Sequence, residues 1–286
     1  KAWDGSVANL PVKSSQPKEL QLEINSAPHN PLCRLPDLTT SEDMPLEHIE
    51  KILKDCSQID DLLLTIGDLG DIWQYEDLDG LLKVISDNRP FGVHIVLDGQ
   101  QAIDNPNEFE KWLSAGFDII SFRTTSLGHK KEDLQKHEES IRKLSEKINT
   151  PTSTTILCFE LFKFHDNWRC MEVLEDWRTR FPLPYTWRPF SDFGDQHEII
   201  NDLPAYAPPH KKACQKLIHQ THVLPSGAVT SCSQDFLGKW PVGNAIETSV
   251  IDLWNQEIPC QRRKKTQENP DDVMPICKNC KHFHYV

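Results

Sequence analysis

The sequence predicts an α/β protein in which residues 19–190 fold as a partial (β/α)6 TIM-like barrel and a small cysteine-rich domain follows. Three observations support this fold: strand-like apolar segments alternate with helical ones, the alternation occurs six times, and five of the nine cysteines lie after residue 213. Consecutive strand–helix–strand units are right-handed and build a parallel sheet. A half or three-quarter barrel and a doubly wound sheet both satisfy the alternation. Six units and the cysteine-rich tail favour the partial barrel, with its site at the carboxyl ends of the strands.

The individual elements follow from periodicity. The first strand is expected at Glu19–Asn25, where apolar and polar residues alternate as in a half-buried strand. The second, Ile59–Gly67, contains an apolar run that suits a buried parallel strand. Between them, Pro45–Cys56 has its apolar residues at helical spacing. The further predicted elements are helix Leu78–Ser86, strand Phe91–Gly99, helix Pro106–Ala115, strand Phe117–Phe122, helix Lys130–Ile148, strand Pro151–Leu161, helix Asn167–Phe181 and strand Leu183–Phe190.

Two segments outside these elements delimit the predicted domains. Residues 1–18 are polar and interrupted by prolines, which is typical of an unstructured arm. Residues 191–213 have the proline and glycine content of a linker. We therefore expect an N-terminal arm at 1–18, the barrel at 19–190, the linker at 191–213 and the cysteine-rich domain at 214–286.

Composition and charge argue against several classes of function. The formal charge is −12 and the isoelectric point is about 5.4. Because the sequence also contains no basic patch or stripe that dominates, we do not expect it to bind duplex nucleic acid. No run of about 18 apolar residues could span a bilayer, and no charged and then apolar leader precedes the first strand. The nine cysteines, an odd number that includes a Cys-x-x-Cys pair, fit a reducing compartment. We expect a cytoplasmic protein that binds neither nucleic acid nor a membrane.

The most informative stretch is the C-terminal cysteine block. Cys214 is followed after twelve residues by Gly227 and after four more by Cys232, and Cys277 and Cys280 form a Cys-x-x-Cys pair. Such a pair places two sulfurs on one side of a tight loop, and a second pair can complete a four-thiolate cage. Spacing leaves both zinc and an iron–sulfur cluster open, because both accept four thiolates. Buried, inert thiols are the simpler alternative.

The block as a whole resembles the SPASM/Twitch extension of radical SAM enzymes. The resemblance rests on the spacing above together with Gln234-Asp235-Phe236, Gly243-Asn244, Leu253-Trp254-Asn255, Arg262 and the final Cys-x-x-Cys pair. In that family this region binds auxiliary [4Fe–4S] clusters, which implies one such cluster on Cys214, Cys232, Cys277 and Cys280. A full SPASM domain has more cysteines and usually two clusters. This block adds only Cys260, so one auxiliary cluster is expected.

The same resemblance implies a catalytic cluster in the loop after the first strand, where the family has Cys-x3-Cys-x2-Cys. Three thiolates leave one iron open to chelate S-adenosylmethionine. Here that loop contains the single thiol Cys33. If Cys33 is the middle ligand, His29 and Pro36 flank it; if it is the last, Ser26 and Asn30 do. Neither arrangement supplies three thiolates, and only His29 could join Cys33 in holding iron. We therefore expect the S-adenosylmethionine-cleaving cluster to be absent.

Other positions resemble the family's cofactor pocket. After the second strand, Gly67 and Asp68 stand where the family has a Gly-Gly-Glu-like segment, and the Asp68 carboxylate could bind an ammonium group. The alternative is a solvated turn residue. The fourth strand ends in Ser121 and, two residues later, Arg123, which could reach a carboxylate or phosphate or form a surface salt bridge. The predicted residual cofactor pocket thus comprises these four residues.

Three further residues have weaker patterns. Glu160, near the end of the fifth strand, is expected to face the cavity of the barrel. Cys56 and Cys158 lie on apolar faces of their elements and are expected to be core thiols.

Taken together, the resemblance implies an iron–sulfur protein of radical SAM–SPASM architecture that lacks the S-adenosylmethionine-cleaving cluster. Such a protein would be a non-catalytic partner or scaffold subunit, beside an active homologous radical SAM subunit. One alternative is an active radical SAM enzyme that modifies a peptide, a protein or a small molecule through an atypically ligated cluster. A redox or electron-transfer protein and a structural zinc protein are the others.

Overall fold

The computed structural model describes residues 16–27, 43–123, 155–163, 175–177, 179–181, 185–189 and 213–280, with positions 135, 138, 139 and 142. Nine strands form one sheet in this part of the chain. They are β1 (Glu19–Leu22), β2 (Leu63–Ile66), β3 (Gly92–Asp98), β4 (Ile119–Arg123), β5 (Ile156–Lys163), β6 (Tyr185–Pro189), β7 (Gln220–Val223), β8 (Ala228–Thr230) and β9 (Pro241–Asn244). Strands β1 to β6 are parallel and neighbour one another in sequence order. The predicted α/β fold with a partial barrel is confirmed.

Helices pack on the outer face of this sheet. They are α1 (Leu46–Cys56), α2 (Leu78–Asp87), α3 (Gly99–Asp104) and α4 (Pro106–Ser114), and the C-terminal block adds α5 (Gln215–His219), α6 (Val250–Trp254) and α7 (Glu257–Glu268). Helix α1 shows why such a segment is helical: its apolar side chains, Ile49, Ile52 and Leu53, form one buried stripe. Glu47 in its first turn and Lys54 in its last suit the helix dipole. Cys56 closes the stripe and is fully buried, so the predicted core thiol is confirmed.

The prediction that the first strand is half-buried is wrong. Every residue from Leu20 to Asn25 is at least 98% buried, and the ladder to β2 ends at Leu22. Its apolar residues pack in the core beneath the helices. Its polar residues, Gln21, Glu23 and Asn25, bond to the loop that follows β2 instead of to water. Alternation in this strand therefore separates an apolar core face from a polar inner face.

The C-terminal block continues the sheet of the barrel. Strand β7 lies parallel to β1 on the side opposite β2, and β8 and β9 follow as antiparallel strands. The turn between β7 and β8 contains Gly227 at φ +81°, where a Cβ would lie 2.7 Å from the Asn244 side-chain oxygen. Only glycine fits such a site, which explains its place in the cysteine spacing. The proposed linker lies outside the described residues except at its end, and the domain limits stay predictions.

Among the described residues, no helix combines the length and the apolar composition that crossing a bilayer requires.

Candidate functional site

Polar and charged side chains meet at the carboxyl ends of the barrel strands. Asp68 follows β2, Asp98 ends β3, Arg123 ends β4 and Glu160 lies in β5, and all are at least 93% buried. Parallel strands end at one edge of a sheet, so their terminal side chains converge. The inner face therefore forms a polar pocket at this edge, in the place where the sequence predicts the site.

An ion-pair network around Arg123 occupies the centre of this pocket. Its Nη1 and Nη2 atoms donate to the backbone oxygen and the Oδ1 carboxylate oxygen of Asp68, and its Nε donates to Glu160 Oε2 at 3.2 Å. Gln21 Nε2 donates to the other carboxylate oxygen of Asp68 at 2.9 Å. The side chain of Arg123 is 5% exposed and that of Asp68 9%. The interpretations of Arg123 as a surface salt-bridge partner and of Asp68 as a solvated turn residue are both wrong, because the strand ends enclose them.

The other two residues of the predicted cofactor pocket have different roles. Gly67 has φ +80°, and a Cβ there would lie 2.9 Å from the Val96 carbonyl oxygen, so glycine is needed to turn the chain toward Asp68. Ser121 Oγ lies 2.7 Å from Nε2 of His94, further inside the barrel than Arg123. Gly67, Asp68 and Arg123 therefore come together, and Ser121 joins a separate polar contact. Their predicted role in binding the cofactor stays a prediction.

Asp71 is a residue of this pocket that sequence reasoning missed. Its pKa is raised from 3.8 to about 7, chiefly by burial and also by the nearby Asp98 carboxylate, while the amide of Trp73 and the charge of Arg123 oppose this shift. That amide donates to Asp71 Oδ1 at 3.1 Å, which fixes the turn after β2. Asp71 is 3% exposed. Near neutral pH the pocket therefore contains a carboxyl group that gains or loses a proton.

The cysteines of the C-terminal block come together in a second region. Cys232, which follows β8, lies in one apolar cluster with Leu217, Met274 and Ile276, against which Cys214 and Cys277 pack. Burial raises the pKa of the Cys232 thiol well above its ordinary value of 9.0, and Cys214 and Cys280 raise it further. The electrostatic influence of Cys280 on Cys232 places it in the same region. The two cysteine pairs of the predicted ligand set, Cys214 with Cys232 and Cys277 with Cys280, therefore lie in the same region.

The donor set consists of four thiolates, which both a zinc ion and an iron–sulfur cluster accept. A zinc ion needs about 2.3 Å to each of four sulfurs, and hence a tight cage. A [4Fe–4S] cluster is larger, so its thiolates stand further apart, and the surroundings of Cys232, Cys214 and Cys277 here are largely apolar. Cys214, Cys232, Cys277 and Cys280 would hold it.

Arg262 supplies positive charge beside these thiols. Its Nη1 donates to Ser231 Oγ and to the Trp240 carbonyl, both at 3.0 Å. Burial lowers the pKa of its guanidinium, and the charges of Asp235, Cys277 and Cys232 oppose that shift. Arg262 therefore offsets part of the negative charge that thiolates bring to the site.

Cys260 belongs to a different environment. It lies on α7, where its Sγ is 3.1 Å from Nη2 of Arg263 and 3.6 Å from the Asn255 carbonyl oxygen. Arg263 is 2% exposed, and its guanidinium lies 4.0 Å from the centre of the Trp254 ring. Cys260 thus contacts a buried cation and not the apolar cluster that contains Cys232.

The remaining candidates have mixed outcomes. Glu160 faces the pocket as expected, through its bond to Arg123. Cys158 is 7% exposed and therefore buried as predicted. His29 and Cys33 lie outside the described residues, so the proposal that they hold iron stays a prediction.

The cysteine-rich C-terminal block matches a known domain family. Residues 214–281 match the family model of SPASM, described as an iron–sulfur cluster-binding domain. A comparison with curated proteins by sequence finds no significant match.

Solved structures share the fold of the whole chain. BtrN in complex with AdoMet and 2-DOIA matches with a TM-score of 0.63 at 15% identity, over 93% of this chain and 93% of that one. Streptococcus suis SuiB bound to precursor peptide SuiA matches with a TM-score of 0.65 at 13% identity, over 93% of this chain and 70% of that one. The structure of anSMEcpe with bound AdoMet matches with a TM-score of 0.58 at 12% identity, over 94% of this chain and 84% of that one.

These neighbours are radical SAM enzymes with SPASM-type domains. Their low identities establish the fold alone. The protein described here therefore shares its fold with these neighbours, and its residues 214–281 match the SPASM model of an iron–sulfur cluster-binding domain.

Proposed function

We propose that this protein is an iron–sulfur protein of radical SAM–SPASM architecture that does not cleave S-adenosylmethionine. One [4Fe–4S] cluster is held by Cys214, Cys232, Cys277 and Cys280, and the protein serves as a non-catalytic partner or scaffold subunit. The observation that supports this function best is the buried ion pair of Arg123 with Asp68.

Asp68 stands where the family resemblance puts the acid that takes the amino group of S-adenosylmethionine. Its carboxylate is already engaged by Arg123 and by Gln21. A cofactor ammonium would have to displace the guanidinium and leave it with Glu160 alone in a buried pocket. Leaving a buried charge without any partner costs about 3–5 kcal/mol, and the ammonium on Asp68 and the bond of Arg123 to Glu160 would offset part of that cost. Since about 3–5 kcal/mol is the upper limit, binding would be weakened by up to several thousandfold.

The sequence that follows β1 supports the same proposal. Its one thiol, Cys33, cannot supply the three thiolates that leave a single iron open for the cofactor. Without that open iron, reductive cleavage has no metal to which the electron can be delivered. The missing thiolates would prevent cleavage of S-adenosylmethionine, and the engagement of Asp68 by Arg123 would weaken its binding.

The cluster and the polar pocket suggest how such a protein could serve a partner. A bound [4Fe–4S] cluster supplies one-electron chemistry or a rigid support for the surrounding loops. SuiB and anSMEcpe have been solved with the peptides SuiA and Cp18Cys bound. We therefore propose a peptide or protein partner, or an active homologous subunit, in the reducing cytosol.

One observation favours a second candidate function, an active enzyme with an atypical cluster on Cys33 and His29. The inner face of the barrel is polar and retains Ser121, which resembles the family's strand-end serine. Cys33→Ala abolishes activity under this alternative, and an unaffected variant would exclude it.

The test is anaerobic reconstitution with iron and sulfide, followed by EPR of the reduced protein with and without S-adenosylmethionine. The proposal predicts about four irons per chain, as for one cubane cluster, and a spectrum that does not change when the nucleoside is added. About eight irons, or a spectrum that shifts on addition, would contradict it.

A further inference from the structure

The thiols of the C-terminal block bring the predicted cluster close to the surface of the protein. Cys214, Cys277 and Cys280 are each partly exposed, whereas Cys232 is buried. A cluster held by these four residues therefore has one side inside the protein and one side near solvent. Electron transfer weakens steeply with distance, so a molecule that exchanges an electron with such a cluster has to bind on the solvent side.

Trp240 is the aromatic side chain beside these thiols. It is half-buried and packs against the apolar cluster that contains Cys232. Its amide donates to Asp235 Oδ2 at 2.9 Å, and its carbonyl oxygen accepts from Arg262 Nη1 at 3.0 Å. Both ends of the residue are thus fixed before a partner binds. A partly exposed tryptophan that is held in this way is the kind of anchor that protein interfaces favour.

Two lysines lie beside this tryptophan and the thiols. Lys239 directly precedes Trp240 and is exposed, and Lys216 lies on α5, two residues after Cys214. Burial raises the pKa of the Cys232 thiol, and the charge of Lys216 opposes that shift, so this lysine is close to the thiols. Within the part of the chain that the structure describes, neither lysine forms an ion pair. Their charges are therefore available to a partner.

The C-terminal block differs in charge from the rest of the chain. Residues 213–280 contain seven basic and seven acidic side chains, whereas the whole chain has a formal charge of −12. Asp235, the carboxylate that bonds to the amide of Trp240, is 0% exposed and does not face a partner. An acidic protein is therefore repelled by most of the chain and is steered toward the side that has Lys216 and Lys239.

We propose that Trp240, Lys216 and Lys239 form a docking face, the Trp240 face, for an acidic protein that carries single electrons to the auxiliary cluster. This inference rests on the proposed function, since it requires the cluster that the four cysteines would hold. The reduced carrier, a low-potential flavin or iron–sulfur protein, gives up one electron and the cluster gains it. No covalent bond forms or breaks in the transfer. Carboxylates of the carrier meet the two lysines, and Trp240 packs against the carrier between them.

The position of Trp240 favours an electron carrier over other acidic partners. An anionic lipid surface or a nucleic acid is bound by several cations in a broad patch or stripe. The Trp240 face instead combines two lysines with one aromatic anchor. The same tryptophan that would contact the partner packs against the apolar cluster that contains Cys232. A protein docked there is therefore held next to a predicted ligand of the cluster, which is the placement that electron transfer requires.

Stopped-flow reduction of the reconstituted full chain by a fully reduced, acidic flavodoxin tests the proposal. The loss of iron–sulfur absorbance gives the second-order rate constant, and calorimetry with the oxidised flavodoxin gives the Kd. Because the attraction is electrostatic, we expect the rate constant to fall about tenfold between roughly 0.05 and 0.5 M salt. Lys216→Glu combined with Lys239→Glu should lower the rate constant about tenfold or more at low salt and raise the Kd to a similar extent. Reduced methyl viologen, a small molecule that needs no docking face, should reduce this variant at least as fast as the unaltered protein.

Lys83→Glu combined with Lys111→Glu is the matched control. It makes the same change in net charge, but on the outer helices α2 and α4 of the barrel. It should change the rate constant for flavodoxin by about twofold at most. The iron and sulfide content of every variant is measured first, so that loss of the cluster is not mistaken for loss of docking.

A rate constant and a Kd that depend neither on salt nor on the two lysines would overturn the Trp240 face, while a normal iron and sulfide content would leave the cluster assignment standing. An equal loss in the control variant would also overturn it, because net charge would then govern the encounter. Binding of anionic lipid vesicles or of nucleic acid through the same lysines, without a flavodoxin complex, would contradict the proposed partner. If the double variant does not assemble its cluster, Lys239→Glu alone decides, since that side chain is exposed. Absence of iron and sulfide from the unaltered protein would contradict both the cluster and the docking face.

Discussion

Replacing Arg123 tests the buried network on which the proposed function depends. Arg123→Met keeps most of the side-chain volume but leaves the carboxylates of Asp68 and Glu160 buried without their cation. Removal of one partner of a buried pair costs about 3–5 kcal/mol. For a chain of this size about 1 kcal/mol corresponds to roughly 2–4 °C in Tm, so the variant should melt about 6–20 °C lower.

The assay is thermal unfolding followed by circular dichroism, with two companion variants. Arg89→Met removes the cation of a partly exposed pair with Asp118 and should cost about 1 kcal/mol or less. Asp68→Asn combined with Arg123→Met removes one of the buried charges and should recover part of the loss. If Arg123→Met melts within about 2 °C of Arg89→Met, the ion pair does not have the strength assumed here, and the argument against cofactor binding fails.

Three further predictions concern charge and ligands. Asp71→Asn should raise the free energy of unfolding by up to about 4 kcal/mol near pH 8 and change it little below about pH 4. The Asp71 carboxyl has a pKa of about 7 in the folded protein, so it is neutral at low pH and is a buried charge at pH 8. Denaturant unfolding of both proteins at the two pH values measures the difference. Arg262→Gln removes a positive charge beside the cluster and should lower its midpoint potential by on the order of 50–100 mV at an effective dielectric constant near 20. Lys264→Gln, on the exposed side of α7, should leave the potential unchanged. A redox titration of both variants measures the two potentials. Cys232→Ala should reduce bound iron well below about four per chain while Cys260→Ala keeps it, as measured by iron analysis.

The order of the barrel strands could be predicted from the sequence because it depends on local pattern. Each strand is short and apolar and is followed by a segment with helical periodicity, and successive βαβ units leave few topologies open. Boundaries were less accurate. The short helix α3 was not predicted, because it depends on Asp98, whose Oδ1 accepts the amide of Gln101 at 3.0 Å and caps the helix directly after a strand.

Burial of the polar residues could not be predicted, because it depends on contacts distant in sequence. Glu23 is buried since β7 covers the other side of β1, and His222 on β7 lies about 200 positions further along the chain. Periodicity finds the alternation in this strand but cannot tell water from a polar cavity. The signal in the sequence is that Glu19, Gln21, Glu23 and Asn25, which share one face of the strand, are all polar. Such a face on a strand of a barrel indicates a polar interior.

The cysteine block was the most predictable part of the candidate site, since the spacing of its cysteines alone picks out the residues that the matched domain contains. The roles of Asp235 and Arg262 were visible only as elements of the resemblance. The structure gives their physical use: the Asp235 carboxylate accepts the amides of Lys239 and Trp240, and Arg262 bonds to the Trp240 carbonyl. Both therefore fix the loop that leads away from Cys232.

The measurement that tests the central claim most directly is the yield of 5′-deoxyadenosine. The reconstituted protein is incubated anaerobically with S-adenosylmethionine and a low-potential reductant, and the product is quantified by chromatography beside a Cys33→Ala control. The account predicts no product above the level of that control. Product formed over several turnovers by the unaltered protein, and lost in Cys33→Ala, would contradict it and would establish an enzyme with an unusual catalytic cluster.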